Sequence, residues 1–147
     1  MFAPFCVADL RAFLLGPWRL DRRIFDRRMG VTGAFSGTVR FDADGAGLRA
    51  TETGRMTYGG SETDADRVLL YRFKASSRAR VLYPDGQFFH DLDLAAGRAR
   101  VRHLCGQDDY VGGFWVPRDG IMIVRWRVRG PRKDLVLLGH MERFDKV

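Results

Sequence analysis

Arg78-Ala-Arg-Val-Leu-Tyr-Pro-Asp-Gly-Gln-Phe-Phe-His-Asp-Leu-Asp-Leu94, followed by Ala95-Ala-Gly97 and Arg98-Ala-Arg-Val-Arg-His-Leu-Cys105, is the stretch that decides the fold. Polar and apolar residues alternate along it with period two, the spacing of a strand with one face buried. Pro84-Asp85-Gly86 is a hairpin signal, and Ala95–Gly97 is a second tight link. Three strands follow: Arg78–Tyr83, Gln87–Leu94 and Arg98–Cys105. Links this short force neighbouring strands to run antiparallel.

The same pattern extends in both directions. Upstream are Trp18–Phe25, Gly33–Phe41, Leu48–Met56 and Arg67–Lys74. Downstream are Tyr110–Val116, Ile121–Arg129 and Asp134–Phe144. Turn chemistry separates them at Asp26–Gly30, Asp42–Gly47, Gly106–Asp109, Pro117–Gly120 and Gly130–Lys133, with a loop holding Gly59, Gly60, Ser61 and Asp64. One short helix is expected over residues 6–15, where Val7, Leu10, Phe13 and Leu14 share a face between Pro4 and Gly16-Pro17. About ten short strands and one helix read as an all-β fold. An antiparallel up-and-down barrel over 18–144 removes exposed edges, and a two-sheet sandwich is the alternative.

The chain has 147 residues, the size of a single domain, here expected over 1–147. With 46% hydrophobic and 12% aromatic residues it is not a disordered tail. The net charge is +7, carried by 22 Arg and three Lys against 15 Asp and three Glu. That bias is what a GC-rich genome produces. The basic residues are dispersed, with Arg27-Arg28 and Arg125, Arg127, Arg129, Arg132 and Lys133 as the notable clusters. The balance argues against nucleic acid as partner. The N-terminus lacks a signal-peptide pattern, and Ala12–Gly16 is too short an apolar run to span a bilayer. A cytoplasmic protein without a membrane partner is expected. Its two cysteines, Cys6 and Cys105, are expected to stay reduced, and no metal-type Cys spacing exists. No metal site, phosphate loop, dinucleotide fingerprint or hydrolase elbow is expected.

Strand phase assigns the interior. Phe88, His90, Leu92 and Leu94 share one side, opposite Gln87, Asp91 and Asp93. Ala99, Val101, His103 and Cys105 share a side opposite Arg98, Arg100 and Arg102. Met122, Val124, Trp126 and Val128 face in. Glu52 is in phase with Leu48, Ala50 and Met56, and Arg22 with Trp18, Leu20 and Ile24. Two inward histidines on adjacent, paired strands can hold protons, hydrogen-bond a ligand or coordinate a metal or haem. A buried Glu52 needs a cationic or hydrogen-bonding partner, which Arg22 or a histidine could supply. The same residues would equally serve as a satisfied polar network inside a filled barrel. Cys105 is expected as a small buried thiol rather than a nucleophile activated by His103. Asp108 reaches His103 only if its turn folds inward.

A short helix followed by Gly16-Pro17-Trp18 opening the first strand resembles the lipocalin-like (calycin) superfamily. In that superfamily a G-x-W motif starts the barrel, and its Trp packs under an Arg of the last strand, here Trp18 and Arg143. More narrowly, the chain resembles a bacterial lipocalin-like family of unknown function. The matching pieces are Leu15-Gly16-Pro-Trp18-Arg-Leu20 with Arg22 and Ile24, Gly33-x-Phe35-x-Gly37, Glu52-x-Gly54, and Asp85-Gly86-x-Phe88-x-His90. They continue with His103-x-Cys105-x-x-Asp108-x-Tyr110, Trp126-x-Val128-x-Gly130-Pro-Arg-Lys-Asp134 and Arg143. Met141 stands where Tyr is expected and Ala50 is smaller than expected, changes that would enlarge or repack a cavity. The resemblance implies a barrel with an internal polar site, without a known reaction.

The expected function is small-molecule binding. The ligand, small and partly polar or anionic, would meet His90, His103, Arg22, Glu52, Cys105, Tyr110 and Trp126. Haem held by one histidine is an alternative. A lyase- or isomerase-type enzyme using His90 or His103 for proton transfer, with Arg22 anchoring a carboxylate, is another. Large interior side chains such as Phe35, Phe88 and Trp126 could instead fill the barrel. A homodimer is compatible with either.

Overall fold

The computed structural model describes residues 3–144; residues 1–2 and 145–147, the ends of the expected domain, lie outside the described residues. The chain runs α1 (Leu10–Leu14), β1 (Gly16–Asp26), β2 (Val31–Asp44), β3 (Gly47–Tyr58), β4 (Ser61–Ala75), β5 (Arg78–Leu82), β6 (Phe88–Asp93), β7 (Arg98–Cys105), β8 (Asp108–Arg118), β9 (Ile121–Gly130) and β10 (Lys133–Arg143). Tight links make consecutive strands antiparallel neighbours except β6 and β7, and β1 also pairs with β10, Trp18 facing Arg143 and Arg22 facing Gly139. One ten-stranded sheet results, in the order β6-β5-β4-β3-β2-β1-β10-β9-β8-β7. It curls into a nearly closed barrel, the architecture expected from the alternation.

The seam falls between β6 and β7, the two edges of the sheet. This corrects the expectation that these strands pair. Beside this seam the β5–β6 register is irregular. Val81 of β5 faces His90, yet the next residue, Leu82, faces Phe88. Phe89 is therefore an extra residue, a β-bulge that turns two consecutive side chains inward and bends the edge away. Phe89 and His90 are both buried, while Phe88 is 47% exposed under the Arg80 guanidinium. The inward assignment of Phe88 is thus corrected: period two holds only up to the bulge.

At one end the gap is bridged by the N-terminus. Phe5 donates its N–H to the Val116 carbonyl and Val7 to that of Leu94. These residues are extended, so the helix expected over 6–15 shortens to Leu10–Leu14, capped by the Asp9 carboxylate on the Ala12 N–H. Leu10, Phe13 and Leu14 seal this end over Trp18, Phe41, Leu48 and Leu94. The loop expected around Gly59–Asp64 is instead a long hairpin, because Gly59 and Gly60 take positive φ and turn the chain in two residues. Its arms project beyond the core, so no apolar alternation announces them. Among the described residues no helix is long and apolar enough to cross a membrane.

Candidate functional site

Midway along the barrel the side chains stop meeting. They leave a cavity of about 60 Å3, counted as space open to the centre of a water molecule. Its floor is apolar, with Leu20, Val39, Phe41, Met122 and Met141. Ala50, Gly139 and Met141 all border it, so the small residue at 50 and the Met at 141 do adjoin open space.

One wall is charged. Glu52, 8% exposed on β3, receives Arg22 of β1 through two N–H···O contacts of 3.1 and 3.4 Å. It receives Arg67 of β4 at 2.6 Å. Burial pushes the Glu52 carboxyl up, but Arg67 and Arg22 outweigh it and hold it below the ordinary glutamate value. The carboxylate is therefore ionised, and two guanidinium groups share one negative charge. Arg22 also lies 5.5 Å over the Phe35 ring. Arg67 borders the cavity while its side chain is 46% exposed, so the cavity meets solvent beside it. Arg67 was missed in the sequence, although it is in phase with Leu69 and Tyr71 on its own strand.

Tyr71 and His90 complete the polar lining. Burial pushes the Tyr71 phenol up to about 12, so it stays protonated. His90 is 3% exposed, and burial pushes its pKa down to about 4, against a hydrogen bond at the Asp91 carbonyl that works the other way. The ring is neutral near pH 7. Its Nδ1 lies 3.0 Å from the Asp91 carbonyl oxygen. A carbonyl only accepts, so Nδ1 carries the proton, and Nε2 is left as the acceptor or ligating atom.

The opposite wall is aromatic. Phe89 stacks on Trp126 at 5.2 Å and on Tyr83 at 4.8 Å, and Phe114 meets Trp126 edge-on at 6.0 Å. Trp126 fits because Gly112 lies beneath it: a Cβ there would stand 2.8 Å from the indole. His103 packs on the far side of Phe89, 5.3 Å away, with Tyr83 and Tyr110 at 6.0 and 5.9 Å.

Of the residues expected to meet a ligand, the structure brings together Arg22, Glu52, His90 and Trp126 around the cavity. His103 and Tyr110 are half-buried and sit outside the Phe89–Trp126 layer, off the cavity. Cys105 is free and exposed, as is Cys6, which corrects the inward placement of Cys105. The alternation of β7 ends before it, as that strand leaves the core beside the seam. Asp108 pairs with Lys133 at 3.3 Å rather than orienting His103. In the basic cluster, Arg127 is tied to Asp134 at 2.7 Å, while Arg125, Arg129 and Arg132 are exposed. Among the described residues no three His, Cys, Asp or Glu side chains gather as a metal site.

Residues 14–143 match a family of unknown function, DUF6314. No curated protein matches the sequence. Several solved structures resemble the fold, among them the following two. The S-type phycobiliprotein lyase CPES from Guillardia theta superposes with a TM-score of 0.67 at 8% identity, over 97% of this chain and 95% of its own. A protein of unknown function from the DUF3598 family of Nostoc punctiforme PCC 73102 superposes with a TM-score of 0.61 at 18% identity, over 90% of this chain and 48% of its own. At such identities the likeness shows the barrel fold alone.

Proposed function

The chain belongs to the DUF6314 family, of unknown function, and from its site we propose that the barrel binds a small, partly polar or anionic molecule in its interior. One observation carries this reading: the largely buried Arg22–Glu52 pair, joined by the half-exposed Arg67, faces open space inside an otherwise apolar core. A purely structural barrel gains nothing from that arrangement. Apolar residues of similar volume in place of a buried ion pair are often neutral or stabilising, and small barrels otherwise fill with side chains. Charges kept beside a cavity make sense when a ligand completes them.

The lipocalin-like resemblance supports the same reading. Arg143 lies 4.9 Å over the Trp18 ring at the sealed end, as that resemblance implies. A neighbour in fold that is named a phycobiliprotein lyase adds that such a barrel can serve chemistry on another protein. Within the site, Arg22 and Arg67 supply donors to an anion, Tyr71 a hydroxyl and His90 an acceptor at Nε2. A neutral His90 suits proton acceptance rather than donation, so an enzymatic version would use it as a base. Haem has less support. His90 Nε2 suits an axial ligand, but about 60 Å3 is several-fold too small for the macrocycle unless the barrel opens.

Native mass spectrometry of freshly purified protein, with the denatured mass alongside, tests the proposal. An added mass that disappears on denaturation, and on Arg22→Leu substitution, is the expected result. A bare native mass, together with no response of Trp126 fluorescence to any of a panel of small acids, amides and alcohols, would overturn it.

A further inference from the structure

Resting on the reading of the barrel as a ligand-binding cavity, we infer that its ligand is a compact, ring-bearing monocarboxylic acid. The carboxylate takes the guanidinium donors that Glu52 leaves free, and the ring lies against the Phe89–Trp126–Phe114 wall.

Charge sets the acid. Among the described residues Arg22 and Arg67 form ion pairs with Glu52 alone. Of their N–H groups, only those on the two Nη atoms of Arg22 and on Nη2 of Arg67 point to that carboxylate. The cluster keeps one uncompensated positive charge, and His90 and Tyr71 are neutral beside it. One carboxylate balances the cavity. A dicarboxylate would leave an extra negative charge with no cation to meet it, and a neutral molecule would leave the guanidinium unanswered.

Size and shape set the rest. A cavity of about 60 Å3, counted as space open to the centre of a water molecule, admits only a compact ligand. The ring wall is preformed: Trp126 and Phe89 stack 16° from parallel, Tyr83 stacks on Phe89 and Gly112 backs the indole, so ring edges rather than ring faces border the cavity. The face of a ligand ring can take such edges in an edge-to-face arrangement, and a rigid ring loses less rotational freedom than a flexible chain.

A second, independent feature points to a ligand. Tyr71 is 7% exposed and lines the cavity, yet among the described residues its hydroxyl has no hydrogen-bond partner. A ligand oxygen in the cavity would give this hydroxyl a hydrogen-bond partner. Arg67, half in solvent at the cavity wall, is placed to receive the carboxylate first and pass it inward to Arg22.

The test uses methionine methyl NMR, because Met122 and Met141 border the cavity and the 69%-exposed Met29 serves as control. Benzoate, benzamide and octanoate are titrated into the full chain. Benzoate is expected to shift Met122 and Met141 saturably and leave Met29 in place. Benzamide and octanoate should bind at least about tenfold more weakly. Arg67→Gln should weaken benzoate about tenfold and leave benzamide unchanged, while Arg67→Lys, which keeps the charge, retains most of the affinity. Benzamide equal to benzoate overturns the acid, and octanoate equal to benzoate overturns the ring; either leaves the cavity reading standing. If none of the three moves Met122 or Met141, the ring-bearing acid is overturned, and the native mass decides the cavity reading separately.

Discussion

Arg143 and Arg22 each carry a guanidinium into the barrel, and the sealed end and the middle of the barrel treat it differently. At the sealed end Arg143 lies 4.9 Å from the Trp18 ring and 5.0 Å from Phe13. It donates to the Phe13 carbonyl at 2.5 Å and to Asp119 at 3.1 Å, while Trp18 Nε1 donates to the Leu14 carbonyl at 2.8 Å. The guanidinium of Arg143 and the indole N–H of Trp18 are both answered by the chain's own groups. Midway up the barrel Arg22 shares Glu52 with Arg67 beside open space. A guanidinium flanked by rings and carbonyls acts as a plug; the same group beside a cavity is offered to something else.

Breaking the plug should have the largest effect. Trp18→Ala removes a fully buried indole and the platform under Arg143, costing about 3–5 kcal/mol in denaturant unfolding. Ligand affinity of the fraction still folded should be unchanged. At the cavity, Arg22→Leu leaves Glu52 buried with one partner and should cost about 3 kcal/mol. Replacing Arg22, Glu52 and Arg67 together by Leu should return most of that stability while abolishing anion binding. No matching rescue is expected at the sealed end, and its appearance there would erase the distinction.

Acid sharpens the comparison further. The unfolded His90 titrates near 6.5 and the folded one near 4, so the unfolded state binds more protons between those values. Stability should therefore fall by about 3 kcal/mol as pH drops from 6.5 to 4. His90→Phe should flatten that stretch of a stability–pH curve. Glu52 acts in the same direction but lower down, since its stabilisation is present above the ordinary glutamate value of 4.5 and is lost as pH falls below it. The smallest effect belongs to the aromatic wall. Gly112→Ala drives a methyl against Trp126 and should cost about 1–3 kcal/mol with a shift in indole fluorescence. Gly113→Ala, whose added Cβ meets nothing within 4 Å, should be near neutral.

Particular residues show how far the sequence could be read. Glu52, Arg22 and Trp126 were legible as interior because their strands alternate without interruption. Arg67 obeys the same rule but lies at the rim, where flanking residues are polar and the phase is easy to overlook. Phe88 was misplaced because a bulge inserts one residue and shifts the phase by one. Cys105 was misplaced because alternation says nothing about where a strand leaves the core. The unpaired β6–β7 seam was invisible, since a three-residue link looks the same whether its strands pair or diverge.

Alternation and turn chemistry alone settle ten antiparallel strands, one short helix and their order, because those signals act between residues close in sequence. The cavity, the sharing of Glu52 by Arg22 and Arg67, and the separation of His90 from His103 arise only when β1, β3, β4, β6 and β9 close around a common axis. Whether facing side chains meet or leave space depends on volumes summed across strands far apart in the chain, and no local pattern carries that sum.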